Sequence, residues 1–245
     1  MPYNLVVDSL SNRENCIPDD VHVFRVDFDF ERSLNDSMFD VLSPEEHHRA
    51  SKFLRHADAM RFASTRVALR RCLGAALGKD ADALNFTQSA FGRPTLVDDD
   101  GLAHIDFNVS HSGNHGLVAW STVRRIGVDI EVRNKQMPWN ELVRMVFGEA
   151  DILELQSTPL SRQGDLFFDI WVAKEALLKA HGTGITDGLK DFSVMSSGFS
   201  HLVRGSTTLA ERLREFQGVW VSDILGHAAF VAWSRQRLGL ELSKP

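Results

Sequence analysis

The spacing of apolar residues predicts where the strands lie. Apolar and polar residues alternate over residues 21–28, and again where Ile105, Phe107 and Val109 are separated by polar or small residues. Such alternation is typical of strands with one buried face. A continuous apolar run, by contrast, indicates a strand buried on both faces. The same criteria predict strands over residues 85–88, 117–120, 126–132, 192–195, 219–225 and 228–233.

Helical spacing occupies the stretches between these strands. Ser43, followed by Pro44 and then Glu46, is a helix start, with serine as the cap and glutamate three residues later. The helical pattern continues to Leu77, before Gly78, and we expect a break near residues 56–58 because the run is long for one helix. Further helices are predicted over residues 139–147, 150–155 and 165–180. The predicted class is α+β, with an α/β-like order of elements.

The second half of the chain resembles the first in layout. Val118-Ala119-Trp120-Ser121 recurs as Val231-Ala232-Trp233-Ser234, each time shortly after a histidine. We therefore expect a pseudo-twofold duplication of two similar α/β halves, residues 1–122 and residues 123–245. No linker rich in Gly, Pro or Ser separates them, so the halves should pack tightly.

Composition excludes several classes of protein. The 27 Lys and Arg against 33 Asp and Glu give a net charge of -6, which argues against a general nucleic-acid binder. No apolar run approaches the roughly 20 residues that a membrane span needs, and the N-terminus shows no secretion signal. The two cysteines have neither the spacing of a disulfide framework nor that of a zinc site. We expect a cytoplasmic protein that binds neither nucleic acid nor membrane.

Basic residues are nevertheless concentrated in one stretch. Residues 49–71 contain seven Lys and Arg side chains and one acid, Asp58. One interpretation is a solvated helix face. The other is a surface for an anionic ligand or an acidic partner, and the charge run alone gives the two equal weight.

Three carboxylates indicate a cation site. Asp129 and Glu131 are two residues apart on a predicted strand, so they share one face. Trp171, Glu175 and Lys179 recur every four residues on a predicted helix and form one stripe. We expect this strand and this helix to meet, so that the three carboxylates surround one hard cation, and oxygen ligands suit Mg²⁺. The alternative is a polar strand face and an ordinary surface ion pair between Glu175 and Lys179.

Other polar residues suit an anionic ligand. Ser110 and His111 lie at the end of a predicted strand, and the turn containing Arg93 presents one guanidinium, which suits a phosphate. The predicted helix over residues 165–180 is apolar around much of its circumference, so its lysines need partners, which a metal with phosphates would supply. No Gly-x-Gly-x-x-Gly fingerprint or P-loop is present.

Four motifs, in this order, resemble the 4'-phosphopantetheinyl transferases of the larger, surfactin-synthetase-type branch. They are Phe91-Gly92-Arg93-Pro94, Phe107-Asn108-Val109-Ser110-His111-Ser112-Gly113, Ile126-Gly127-Val128-Asp129-Ile130-Glu131, and Trp171-Val172-Ala173-Lys174-Glu175-Ala176 with Lys179 and Gly182. The resemblance covers about residues 43–189. It implies a pseudo-symmetric fold of two α/β halves. It also implies transfer of the phosphopantetheine arm of coenzyme A to a serine of an apo acyl or peptidyl carrier protein, with release of 3',5'-ADP.

The resemblance also implies a role for each matching residue. Asp129, Glu131 and Glu175 would hold Mg²⁺, or Mn²⁺ in its place, together with the pyrophosphate of coenzyme A. Glu175 would also be the base for the carrier serine, and Lys179 would neutralise the transferring phosphate. The residues implied in coenzyme A binding are Arg49, Arg93, Pro94, Ser110, His111, Lys174 and Lys179. Two positions that are often basic in relatives are Ala173 and Glu46 here, and both changes are expected to weaken nucleotide or carrier affinity.

Two further functions compete with this hypothesis. One is a non-catalytic module that binds a carrier or coenzyme A, which the intact acidic set argues against. The other is a metal-dependent phosphodiesterase, which would release 3',5'-ADP without any carrier. We expect a monomer, because the duplicated halves make one chain self-sufficient. Fatty-acid, polyketide and peptide carriers are not distinguished by the sequence.

Overall fold

The fold was obtained as a computed structural model, which describes residues 7–10, 16–88, 92–97, 105–134, 136–183, 188–197 and 200–238. The strands are β1 (Val7–Ser9), β2 (His22–Asp27), β3 (Phe86–Gln88), β4 (Pro94–Leu96), β5 (Asp106–Ser112), β6 (His115–Ser121), β7 (Ile126–Val132), β8 (Ser193–Ser197), β9 (Ser200–Arg204), β10 (Phe216–Trp220) and β11 (His227–Ser234). The helices are α1 (Pro44–Ser51), α2 (His56–Leu77), α3 (Trp139–Val146), α4 (Glu149–Ser157), α5 (Leu160–His181) and α6 (Thr208–Leu213). No described helix has both the length and the apolar character needed to cross a membrane.

Two antiparallel sheets form the frame of the molecule. The first has the strand order β1-β2-β6-β5, and the second has the order β10-β11-β7. In the second sheet, β11 lies in the middle, with Phe230 opposite Asp129 on β7. Residues of β6, β7 and β11 that point away from the helices form one apolar cluster, including Leu117, Val128 and Val231. The two sheets therefore pack against each other through these faces.

The two halves repeat one arrangement of elements. In the first half, β2 is followed by the long helix α2, the β3–β4 hairpin, β5 and then the central strand β6. In the second half, β7 is followed by α5, the β8–β9 hairpin, β10 and then the central strand β11. The repeated Val-Ala-Trp-Ser sequence forms the last four residues of β6 and of β11. The predicted duplication and mixed α/β class are thus confirmed.

A glycine on β7 allows the helix α5 to lie directly on the strand. A side chain at Gly127 would overlap the carbonyl oxygen of Ala176 and crowd the amide of Ala180. Only glycine permits so close an approach of two backbones. This contact brings the face of α5 that carries Glu175 and Lys179 against β7, which carries the two strand carboxylates.

The halves are also joined along a seam between β5 and β7. Side chains of β5 accept hydrogen bonds from backbone amides of β7. The pairs are Asp106 Oδ2 with Ile126 at 2.6 Å, Asn108 Oδ1 with Val128 at 3.1 Å, and Ser112 Oγ with Val132 at 3.1 Å. These polar links, of which the one to Asn108 is buried, specify one register between the two strands. These hydrogen bonds hold the two halves of the chain closely together, as expected from the lack of a flexible linker rich in Gly, Pro or Ser between them.

Each half contains a buried acid–base pair at an equivalent place. In the first half, Glu46 is the third residue of α1 and lies 2.6 Å from Nε of Arg70 on α2. In the second half, Asp151 is the third residue of α4 and lies 2.6 Å from Nζ of Lys174 on α5. Each acid also accepts the amide of the residue that caps its own helix. The pairs fasten a short helix to each long one.

Several predicted boundaries differ from the structure. The break between α1 and α2 lies at residues 52–55, slightly before the predicted place, and α5 begins at Leu160, earlier than expected. The strand predicted over residues 219–225 is wrong in extent: β10 covers Phe216–Trp220, and its ladder with β11 ends at the pair of Trp220 and Phe230, after which the chain turns back towards β11. β1, β4, β9 and α6 were not predicted. Phe91, in the predicted turn, lies outside the described residues, whereas Gly92 has the positive φ of 75° that a turn uses.

Candidate active site

The contact between β7 and α5 brings together the acidic residues and one lysine. Asp129 and Glu175 are buried, at 4% and 5% exposure. Nζ of Lys179 lies 2.6 Å from Oδ1 of Asp129. Both Asp129 and Glu131 act electrostatically on Glu175, as does Lys179. The expected meeting of strand and helix is therefore observed, while the chemical roles of these residues stay predictions.

Two serines of β5 orient the strand carboxylates. The Ser110 hydroxyl donates to Oδ1 of Asp129 at 2.7 Å, and the Ser112 hydroxyl donates to Oε2 of Glu131 at 2.7 Å. Oδ2 of Asp129 is buried and has no hydrogen-bond partner among the residues that the structure describes. A buried carboxylate oxygen without a partner is costly, and a bound cation would satisfy it.

The pKa values show how crowded this acidic group is. Burial raises the pKa of Glu175 to about 7; Lys179 opposes the change, and the charges of Asp129 and Glu131 add to it. Burial also raises the pKa of Glu131, and Asp129 contributes in the same direction. Like charges in a desolvated site favour a cation between them. A carboxylate with a pKa near neutrality is also suited to accept a proton.

The donor set fits a magnesium ion in charge and in ligand type. Carboxylate oxygens are the ligands that Mg²⁺ prefers, and one of them is the unpartnered oxygen of Asp129. In the part of the chain that the structure describes, no three His, Cys, Asp or Glu side chains already converge as metal ligands do. Here the ammonium of Lys179 provides the positive charge beside Asp129.

A large basic cleft opens beside this group, between the first half and the end of α5. Its volume is about 1000 Å³, at the upper end of the range for ligand sites. The lining includes Arg49, Phe62, Arg66, Phe86, Arg93, Pro94, His111, Arg125, Lys179 and Gly182. Lys179 both lines this cleft and pairs with Asp129, so an anion bound to Lys179 in the cleft would lie next to the acidic group.

Most of the predicted nucleotide residues line this cleft. Arg49 is exposed, and its guanidinium lies 4.9 Å from the centre of the Phe62 ring. His111 has a lowered pKa, chiefly because its ring loses hydration, with Arg61 acting in the same direction. Ser110 is directed towards Asp129, with its oxygen 3.5 Å from Nζ of Lys179. The contacts of these residues with coenzyme A stay predictions.

Arg93 has a structural role that was not predicted. Its guanidinium donates to the carboxylate of Asp106 at 2.8 Å and to the carbonyl of Phe107 at 2.6 Å, both on β5. It also donates to the carbonyls of Ile126 on β7, at 2.9 Å, and of Lys179 on α5, at 2.6 Å. Arg93 therefore ties the end of α5 to the seam. Because it also lines the cleft, its predicted contact with a nucleotide stays a prediction.

The prediction that Lys174 helps to bind coenzyme A is wrong. Its side chain is fully buried, and Nζ is 2.6 Å from Asp151. The same nitrogen donates to three backbone carbonyls, those of Val146, Leu189 and Phe192. Burial lowers its pKa to about 8, against the effect of Asp151. The ammonium therefore fastens α5 to its surroundings, and Lys174 is not among the described residues that line the basic cleft.

Glu46 does not place an unbalanced negative charge in the cleft. Its two carboxylate oxygens accept from Arg66 at 2.5 Å and from Arg70 at 2.6 Å. Both guanidinium groups lie over the ring of Phe86, at 4.6 and 5.1 Å from its centre. Part of the basic stretch is thus buried rather than solvated. The run of basic residues was recognised in the sequence, but the pairing of Arg66 and Arg70 with Glu46 was not predicted.

Comparison with known proteins gives consistent matches. Residues 125–234 match the profile of the 4'-phosphopantetheinyl transferase superfamily, and residues 31–123 match that of the 4'-phosphopantetheinyl transferase N-terminal region. A Synechocystis protein, slr0495, named as such a transferase, is 38% identical over 149 residues, which are 61% of this chain and 60% of that protein. The transferase HetI of Nostoc is 33% identical over 169 residues, 69% of this chain and 71% of HetI. The transferase Sfp of Bacillus subtilis is 29% identical over 161 residues, 65% of this chain and 69% of Sfp.

Proposed function

Because this chain belongs to the 4'-phosphopantetheinyl transferases, we propose that it transfers the phosphopantetheine arm of coenzyme A to a serine of an apo acyl or peptidyl carrier protein. The other product is 3',5'-ADP. The observation that carries the proposal is the position of Lys179, which lines the basic cleft and lies 2.6 Å from Asp129. An anionic cofactor in the cleft would place a phosphate beside the carboxylates. The 29% identity to Sfp supports the surfactin-synthetase-type branch.

Asp129, Glu131 and Glu175 are the residues that would hold Mg²⁺, with Mn²⁺ as an alternative. Their support is the unpartnered oxygen of Asp129 and the raised pKa values of the two glutamates. When bound, the ion would neutralise pyrophosphate charge as 3',5'-ADP departs. Ser110 and Ser112 hold two of the carboxylates in place for that ion.

The remaining chemistry is positioning and proton transfer. Glu175 takes the proton of the carrier serine while the serine oxygen forms a bond to the phosphorus that bears the pantetheine. The bond from that phosphorus to the bridging oxygen breaks, and 3',5'-ADP leaves with that oxygen. The ammonium of Lys179 donates to the phosphate and stabilises its charge. In phosphoryl transfer these electrostatic contributions are the main work of the protein.

The nucleotide end of coenzyme A would lie in the basic cleft. Arg49, Arg93, Pro94 and His111 line it, and these residues would hold the nucleotide and its 3'-phosphate. We divide the chain into halves at residues 122 and 123, supported by the boundaries of the two matching family profiles. The acidic net charge supports a protein without nucleic-acid partners. We also propose that the protein acts as a monomer in the cytoplasm.

The test is a transfer reaction followed by mass spectrometry. The protein is mixed with coenzyme A, Mg²⁺ and each of several apo carriers of fatty-acid, polyketide and peptide systems. We expect phosphopantetheine on the carrier serine, and 3',5'-ADP only when a carrier is present. Release of 3',5'-ADP without a carrier would identify a phosphodiesterase instead. If no carrier in the panel is modified, the proposed function is refuted.

A further inference from the structure

Three leucines of the described chain are almost fully exposed. Leu54 is 103% exposed, Leu225 is 96% exposed and Leu160 is 84% exposed. Single exposed leucines are common on protein surfaces and need no function. Leu54 and Leu225, however, each precede a side chain that contacts the backbone beside Ser112, which holds Glu131. Leu160, by contrast, is at the far N-terminus of α5. Leu54 and Leu225 are therefore candidates for a functional surface, and Leu160 serves as a control.

Leu54 lies in the loop of residues 52–55 between α1 and α2, and this loop is held near the active site. At its end, Nε2 of His56 lies 3.0 Å from the carbonyl oxygen of Phe30. The guanidinium of Arg61 covers the Phe30 ring at 5.1 Å and donates through Nε to the carbonyl of Gly113 at 2.7 Å. Gly113 directly follows Ser112, whose hydroxyl holds Glu131. The loop is therefore joined, through Phe30 and Arg61, to the backbone next to Ser112.

Leu225 borders the same place from the second half. It lies in the turn between β10 and β11, next to Gly226, which has a φ of 75°. The ring of His227 lies between this turn and β5. Its Nδ1 is 3.0 Å from the carbonyl oxygen of Leu225, and its Nε2 is 3.2 Å from that of Ser112. The loop of Leu54 and the turn of Leu225 are thus each connected to this short segment, one from the first half of the chain and one from the second.

The charges around Leu54 indicate what kind of partner fits. Lys52 and Arg55 flank it and are exposed, and the neighbouring Phe53 is 38% exposed. This apolar and basic loop stands on a chain whose net charge is -6. The complementary surface is an apolar patch bordered by carboxylates, because opposite charges steer encounter and apolar centres supply affinity.

We propose that residues 52–55 and Leu225 form the two sides of a docking surface for the acidic face of the protein that supplies the acceptor serine. The proposal rests on the proposed function, since it assigns the surface to the protein substrate of that reaction. A partner bound across both sides lies over Ser112 and Glu131. Its serine can then approach Glu175 while the nucleotide lies in the basic cleft.

The test is a comparison of KM values for the two substrates. Leu54→Asp and Leu225→Asp are assayed with the full chain, and Leu160→Asp is the matched control with the same substitution at an equally open site. We expect each of the first two variants to raise the KM for the apo carrier by about tenfold or more, as for a central interface residue. The KM for coenzyme A should change by less than about twofold, as should both KM values of Leu160→Asp.

A charge variant checks the partner chemistry. Lys52→Glu combined with Arg55→Glu should lower kcat/KM for the carrier and weaken its dependence on salt, because it removes the steering charges. Unchanged carrier KM values in both leucine variants would overturn the docking surface, as would an effect at only one of the two sides. An equal rise in the KM for coenzyme A would also overturn it. A wild-type protein that modifies no carrier refutes the proposed function itself, so the two failures are distinguishable.

Discussion

The substitution Asp151→Asn offers a direct test of the buried pair that fastens α4 to α5. Asp151 is fully buried, and both of its oxygens are acceptors. Oδ2 accepts from Nζ of Lys174 at 2.6 Å and from the amide of Gly148 at 2.7 Å. Oδ1 accepts from the amide of Val194 at 2.8 Å. Asparagine has the same size, but its NH₂ group would face a donor in either orientation.

The expected loss is large because charge and hydrogen bonding fail together. Removing one partner of a buried ion pair costs about 3–5 kcal/mol, mostly because the other charge stays buried and uncompensated. Lys174 keeps its three carbonyl partners, and its pKa is already lowered to about 8, so it can release its proton. Proton release limits the penalty, and we expect a loss of about 3 kcal/mol in the free energy of unfolding.

Urea unfolding, followed by circular dichroism, measures this loss as a lower midpoint at an unchanged slope. Asp165→Asn is the matched control, because Asp165 is the exposed partner of Arg133, at 3.7 Å in the same half of the chain. Surface pairs of this kind contribute less than about 1 kcal/mol. If Asp151→Asn lowers stability no more than Asp165→Asn, the buried pair does not hold α5 as described.

Three further predictions concern the elements that hold the site. The pKa of Lys174 in the folded chain is about 8, below its ordinary value of 10.5, so between these pH values the folded state binds fewer protons and the free energy of unfolding should rise with pH. The urea midpoint of the wild type should therefore rise across this range relative to that of Lys174→Met, and a constant difference would contradict the lowered pKa. Gly127→Ala should lower the free energy of unfolding by at least about 2 kcal/mol and reduce transfer, because the methyl group pushes α5 away from β7. Urea unfolding measures this loss, and a variant with normal stability would contradict the close contact. Arg93→Lys should lower both stability and affinity for coenzyme A, since lysine cannot reproduce the forked hydrogen bonds to β5, β7 and α5. Thermal unfolding and titration calorimetry measure the two effects, and a variant unchanged in both would contradict the role of Arg93 in joining these elements.

Periodicity along the chain predicted which residues share a face, but not which faces meet. The two-residue repeat placed Asp129 and Glu131 together, and the helical repeat placed Glu175 and Lys179 together. Periodicity does not predict that α5 packs directly on β7 at Gly127, because this close approach depends on two backbones that are distant in sequence. That strand and helix meet was a hypothesis drawn from the carboxylate patterns, and the ordered motifs of the family resemblance agreed with it.

Partners distant in sequence were the main source of error. Lys174 was assigned to a phosphate because a lysine on a buried helix needs an anion, and that physical argument was correct. Its anion is Asp151, on the preceding helix, and no local pattern links the two. The guanidinium of Arg93 likewise finds carbonyls of three separate elements. Tertiary contacts of this kind decide whether a charged side chain is structural or available to a ligand.

The carboxylate site is tested most directly by removing the metal from the transfer reaction. Wild-type protein and Asp129→Asn are treated with a chelator, and carrier modification is then measured by intact mass before and after addition of Mg²⁺. We expect no transfer by the chelated wild type and recovery when Mg²⁺ is added. Asp129→Asn should stay inactive at every Mg²⁺ concentration while unfolding cooperatively like the wild type. Transfer that persists without divalent metal, or a fully active Asp129→Asn protein, would contradict the assignment of Asp129, Glu131 and Glu175 as magnesium ligands.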